Sequence, residues 1–230
     1  MSLPCAGCPV RDRAACAVLD DAERAALARA GRIRRLTRGE TLFAAGDDAA
    51  ACATLLSGAL KVAATDAAGT ERILALVHPA GFIGELFAPF PHHDVVALTD
   101  SELCVFAQRD MSQAVARHPR LAEALLRRSQ EDLHHSRELL ALSGRSAVER
   151  LATLILRFAE AASTSPCHAS RQFDLPLTRG EIAGMLGLTI ETVSRTLTRL
   201  ERDGLVVRHG ARGIVLPDPA RLRQVAAPSD

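Results

Sequence analysis

Two sets of residues in this chain combine side-chain type with a spacing that could do chemistry. Cys5, Cys8 and Cys16 form C-x2-C-x7-C inside the first sixteen positions, among Pro4, Gly7 and Pro9. Glu191, Ser194 and Arg195 lie near the other end at i, i+3 and i+4, so a helix would put them on one side. Clustered thiols suit a metal or redox exchange. A carboxylate acceptor, a hydroxyl and a guanidinium fork together suit base-pair edges: Arg fits guanine O6/N7, and Glu can accept from a cytosine amino group.

The thiols are read first. No apolar run reaches membrane-spanning length and the N-terminus has no hydrophobic signal core, which places the chain in the cytoplasm. Reducing conditions there disfavour structural disulfides. The composition around Cys5, Cys8 and Cys16 predicts a loop with little apolar material of its own, ordered by a shared metal centre. Three ligands are one short of a tetrahedral site or an iron–sulfur cluster, so a fourth must come from Cys52, Cys104 or Cys167. Four thiolates suit structural zinc as well as a cluster.

The polar triplet needs a helix to present it. Thr178 and Glu181 stand three apart, a capping box that opens a first helix ending at Gly187. Thr189 caps a second helix running to Asp203 and stopped by Gly204. Val193, Leu197 and Leu200 give that helix an apolar stripe to pack on the domain, opposite the polar side. Two short helices joined by a tight glycine turn make a helix-turn-helix, and the segment is read as binding double-stranded DNA. A solvated face with one Glu–Arg pair is the bland alternative.

The rest of the chain positions these two groups. Residues 20–30 read as a short amphipathic helix. Seven short, often β-branched runs follow between 33 and 106, separated by turn residues, as in a sandwich or jelly roll. From Pro119 to about Leu142 a long helix is predicted, with Ala122, Leu126, Ser129, Leu133, Ser136 and Leu140 at the a/d spacing of a coiled coil. Two serines in the seam predict a weak, adjustable homodimer contact; packing only on its own β-domain is the alternative. A hinge is placed near Ser143–Ser146, a further helix over Val148–Ala162, a loop over 163–170, and a β-hairpin wing around Gly210 and Gly213. The tail after Pro217 is read as short and frayed.

Net charge is only +1, but it is uneven: residues 145–230 hold 12 Arg against 9 Asp or Glu, and residues 1–144 hold 16 basic against 18 acidic residues. The positive end coincides with the helix-turn-helix, as a duplex partner requires. Seven Phe with no Tyr or Trp argue against stacking on single strands. No nucleophile elbow, P-loop, HExxH or dinucleotide fingerprint is present, so the chain is read as no enzyme.

This order of parts resembles the Crp/Fnr family of bacterial transcription regulators over nearly the whole chain, and most closely the FNR branch in its FnrN/FixK-like form. Cys5, Cys8, Cys16, Cys104 and Glu191-Thr192-Val193-Ser194-Arg195 carry the closer match. The resemblance implies an α+β chain: a cysteine-rich loop over 1–18, a cyclic-nucleotide-binding-like β-roll (jelly roll) over 19–118, a dimerisation helix over 119–143 and a winged helix-turn-helix over 144–230. It implies that Cys104 is the fourth ligand of an oxygen-sensitive [4Fe–4S] cluster, with zinc as the alternative. Cys52 and Cys167 match no ligand position. It further implies a dimer that reads TTGAT-type inverted repeats through Glu191, Ser194 and Arg195, contacts RNA polymerase and releases DNA when oxygen degrades the cluster. Ser136 stands where the branch carries an acidic residue, which weakens the expected dimer switch.

Cyclic-nucleotide control is the family's rival option. Gly84-Glu85-Leu86 matches the start of the phosphate cassette. Asp94-Val95-Val96-Ala97 then stands where an Arg with Ser or Thr should neutralise the phosphate, so no cyclic nucleotide is expected. Haem would need axial ligands; His92-His93 and His134-His135 read as solvated pairs.

Overall fold

The computed structural model describes residues 5–47, 51–67, 69, 71–88, 91–163, 169–210 and 212–227, apart from the side chains of Leu139 and Ser143. It contains two compact units, Met1–His135 and Ser136–Asp230.

The first unit is built on eight strands: β1 Gly31–Leu36, β2 Thr41–Phe43, β3 Ala51–Ser57, β4 Leu60–Thr65, β5 Glu71–Val77, β6 Phe82–Ile83, β7 Asp94–Ala97 and β8 Ser101–Ala107. They form two antiparallel sheets, ordered β1-β8-β3-β6 and β2-β7-β4-β5. Side chains alternate along a strand, and the alternation divides the structure into two layers. Ala53 and Leu55 of β3, with Leu103 and Val105 of β8, join Leu42, Phe43, Leu60 and Val95 in the roll interior. Their neighbours Cys52, Cys104 and Phe106 belong to a second apolar layer with Leu19, Leu27, Met111 and Leu121. The tight turn at Gly58 needs glycine: φ is +95°, and a Cβ would lie 2.2 Å from Ser101 Oγ.

Helix α1 (Asp21–Ala30) opens on a complete capping box, with Glu23 N donating to Asp20 Oδ1 at 2.8 Å and Asp20 N donating to Glu23 Oε2 at 2.9 Å. After β8 come α2 (Gln108–Arg117) and then α3 (Pro119–Ala141). Cys104, in β8, is therefore separated from the long helix by α2, which the sequence did not announce. The difference arises because His118 and Pro119 break the segment after Arg117; Pro cannot continue a helix interior but is at home at its first turn.

The cysteine segment is also better anchored than its composition predicts. It forms two 3-10 turns, Cys5–Gly7 and Ala15–Val18. Val10 and Ala14 are buried against Leu56 and Ala80, and Leu19 against the second layer. Arg128 of α3 reaches the same place, donating to Ala80 O at 3.0 Å and to Arg13 O at 3.4 Å.

The second unit contains α4 (Ala147–Ala161), β9 (Gln172–Asp174), α5 (Arg179–Leu186), α6 (Ile190–Arg202), β10 (Val207–His209), β11 (Gly213–Val215) and α7 (Pro219–Ala226). The predicted wing hairpin β10–β11 gains a third strand, β9, giving the order β10-β11-β9. The tail, read as frayed, forms a helix over Pro219–Ala226. Asp218 caps α7 through Ala220 N and Arg221 N, Pro219 occupies its first position, and Leu222 is fully buried. No helix among the described residues is long and apolar enough to cross a membrane.

Candidate metal centre and nucleic-acid interface

The four cysteines singled out from sequence meet at one place. Cys5, Cys8, Cys16 and Cys104 line a single cavity with Thr54 and Leu56 of β3, Arg24 and Leu27 of α1, Met111 of α2 and Leu121 of α3. Its volume of about 40 Å3 exceeds the roughly 10–15 Å3 a single water needs. Cys104 reaches it because β8 is central: Cys104 pairs with Ile33 of β1 on one side and Thr54 of β3 on the other, and its side chain takes the outer face. The leader crosses that face, held by Val10 and Ala14.

All four thiols are free and half-buried. Burial raises the Cys5 and Cys16 thiols, and the negative potential of neighbouring thiolates raises them further, while Arg24 opposes both. Burial pushes Cys104 up to about 12, with Cys8, Cys5 and Cys16 adding to the rise. Among the described residues no three His, Cys, Asp or Glu side chains are already gathered as a metal-ion site. A metal centre would displace the protons and supply the counter-charge that the thiolates lack. The donor chemistry fits such a centre. Cys52 is fully buried in the second layer, donating weakly to Phe106 O at 3.9 Å, and is not among the cavity's lining residues. Cys167 lies outside the described residues.

The reading head is assembled from local signals. Thr178 and Glu181 complete a capping box on α5, with bonds of 2.8 and 3.1 Å. Gly187 ends the helix at φ +63°, a left-handed conformation that costs other residues roughly 1–2 kcal/mol. Arg150 of α4 donates to Leu186 O at 2.8 Å, satisfying a carbonyl the helix end leaves open. Thr189 then caps α6 through Thr192 N at 3.2 Å.

Helix α6 turns Val193, Leu197 and Leu200 inward, all buried, as the apolar stripe predicted. Glu191 and Arg195 are exposed, and Ser194 is half-buried between them. The backbone N–H of the first turn and the Thr189 hydroxyl, helped by Arg195, hold the Glu191 carboxyl below its usual value, so it stays an acceptor. Arg179, which the sequence reading passed over, donates from α5 to Ser194 Oγ at 2.9 Å. Nothing in its spacing marked it, because its partner lies on the second helix. On the wing, Arg208 pairs with Glu201 of α6.

The cassette region holds internal contacts of its own. Glu85 accepts from His92 N at 3.2 Å and is also engaged by the His92 ring. Asp94 accepts from Ala45 N at 2.8 Å, while Val95 and Ala97 face the roll core.

Comparison with known proteins gives both units a match. The cyclic nucleotide-binding domain family matches residues 33–118, and the Crp-like helix-turn-helix domain family matches residues 149–225. The transcriptional activator protein FnrL of Cereibacter sphaeroides is 34% identical over 226 residues, spanning 96% of this chain and 91% of that protein. The nitrogen fixation regulation protein FixK of Bradyrhizobium diazoefficiens is 33% identical over 225 residues, spanning 97% and 94%. The structure of FixK2 from Bradyrhizobium japonicum aligns with a TM-score of 0.77 and 25% identity, over 87% of this chain and 99% of that one.

Proposed function

The chain belongs to the Crp/Fnr family of transcription regulators, and from that premise we propose that it is an oxygen-responsive activator. It holds a [4Fe–4S] cluster on Cys5, Cys8, Cys16 and Cys104 and, as a cytoplasmic homodimer, reads TTGAT-type inverted repeats. The observation that carries this reading is the convergence of those four thiols, one of them nearly ninety positions from its nearest partner, on a single cavity. Such a cluster, when bound, supplies sensitivity to oxygen. Cys5, Cys8, Cys16 and Cys104, which line one space, would hold it. A single zinc ion would draw its four sulfurs to about 2.3 Å from one point.

The remaining assignments rest on residues already placed. Leu126, Leu133 and Leu140 are 60%, 50% and 75% exposed along α3, and a second copy would cover them as a coiled-coil seam. Glu191, Ser194 and Arg195 stand at the N-terminal end of α6, where a recognition helix meets base edges. With Glu85 engaged by His92 and Asp94 in place of a cation, the roll offers a cyclic phosphate repulsion, so no cyclic nucleotide is assigned. RNA polymerase contacts would come from the loop after β6, where Phe87 is 90% exposed.

Two experiments test the reading. Anaerobic isolation should give brown protein with about four irons per chain, bleaching in air; colourless zinc protein would overturn the oxygen response. In a gel-shift titration Arg195→Ala should lose about 1–3 kcal/mol of preference for the cognate site, the worth of a bidentate base contact. Undiminished preference would overturn the base assignment.

A further inference from the structure

Two charged side chains, Arg11 and Arg24, line the cysteine cavity. Arg24 is only 8% exposed and lines that cavity with the four thiols. Its guanidinium donates to three carbonyls of the leader: Cys16 O at 3.4 Å, Ala17 O at 3.3 Å and Leu19 O at 2.7 Å. Its Nη1 also meets Asp21 Oδ1 at 3.2 Å, an oxygen shared with Arg11 at 2.7 Å. Arg11 in turn donates to Cys5 O at 3.4 Å. The Arg11–Asp21–Arg24 network therefore grips the leader at both ends, at Cys5 and at Cys16.

The charge of this network does not balance. Two guanidinium groups share one carboxylate, and that carboxylate is 87% exposed, where water screens it. A buried cation without a buried partner is costly. Arg24 lines the same cavity as the four cysteines, and four thiolates holding an iron–sulfur core would outweigh its charge and leave an anionic centre beside that guanidinium.

We propose that Arg24 is a positioning residue of the thiolate centre, fixing Cys16 through the leader carbonyls and supplying the positive charge that balances the loaded site. This rests on the cluster reading above. Arg24 makes two separable contributions. Its charge favours the more reduced, more negative form of the centre. Its fork holds the leader in place, which Lys cannot reproduce with a single ammonium.

The test uses the full chain, purified anaerobically, with reductive titration followed by absorption and iron loss to a chelator followed in time. Arg24→Gln should move the reduction midpoint to lower potential. Arg24→Lys should restore the midpoint while losing iron several-fold faster than wild type. Asp21→Asn, at an exposed position that leaves folding intact, should move the midpoint upward by removing the network's only carboxylate. Brown wild-type protein whose midpoint is unmoved by both Arg24→Gln and Asp21→Asn would overturn the inference alone. Colourless wild-type protein would overturn the cluster reading and this inference with it.

Discussion

The cysteine cavity and the reading head are built on opposite plans. Every part of the helix-turn-helix lies within about thirty positions, and its turns are set by neighbours: a threonine and a glutamate three apart, a left-handed glycine, a second capping threonine. The cavity draws its walls from the leader, α1, β3, β8, α2 and α3. Local coding makes the head complete in the chain itself. Distributed coding leaves the cavity with a Cys104 thiol pushed up by burial and a buried arginine whose carboxylate partner is exposed. The general lesson is that a cavity gathered by tertiary structure depends on the whole unit, while a helix pair capped by its own neighbours is finished by short-range rules.

Three substitutions sharpen or break this contrast. The largest effect should come from Cys104→Ala, one atom group remote in sequence from the leader. Iron measured after anaerobic isolation should fall from about four per chain to near none, with the circular dichroism of the helices retained. Full iron retention would mean that the cavity is not closed by β8. Next is Leu222→Ala in α7, fully buried in the second unit. Removing it should cost about 2–5 kcal/mol in urea denaturation. A loss well below 1 kcal/mol would show the head to be as locally coded as its motif and indifferent to the helix behind it.

The smallest effect concerns Cys52. Burial holds its thiol up at about 12, above the ordinary 9.0 that the unfolded chain retains. Because the folded value is raised, the unfolded chain loses its proton first. The stability gained from keeping this thiol neutral is intact below pH about 9 and is lost as pH climbs toward about 12. Metal-free protein should therefore drop in urea midpoint between about pH 8 and pH 10.5, and Cys52→Ala should shrink that drop. An unchanged drop would assign it to the cavity thiols.

What could be read beforehand follows the same division. The Thr178–Glu181 capping box, the glycine turn, the inward face of α6 and seven of the eight strands, all but the two-residue β6, rest on periods of two, three or four residues. Those periods survive folding. The α2 helix escaped because its apolar content is thin, with Met111 its one buried residue. The α7 helix carried a start signal in Asp218-Pro219, but its single buried leucine makes no periodic stripe. Short β9 acquires its identity only by pairing with β11. Val10 and Ala14 look like loop residues until Leu56 and Ala80 come up against them. For the candidate site, the leader triad and the reading triplet could be named from spacing. Cys104 required a resemblance, and neither Arg24 nor Arg179 carried any pattern, because each acts through partners that only the folded chain supplies.

The hold of Arg128 on two carbonyls has a mechanical consequence. Ala80, at φ +78°, sits in a conformation that a non-glycine residue adopts only under restraint, and one guanidinium ties it and Arg13 to the shaft of α3. Sliding the N-terminal strap by even one peptide would strip that guanidinium of its Arg13 acceptor while the turn keeps its own bond from Ala80 N to Leu55 O. The strap and the rod are thus geared: neither can travel far while the other stands still.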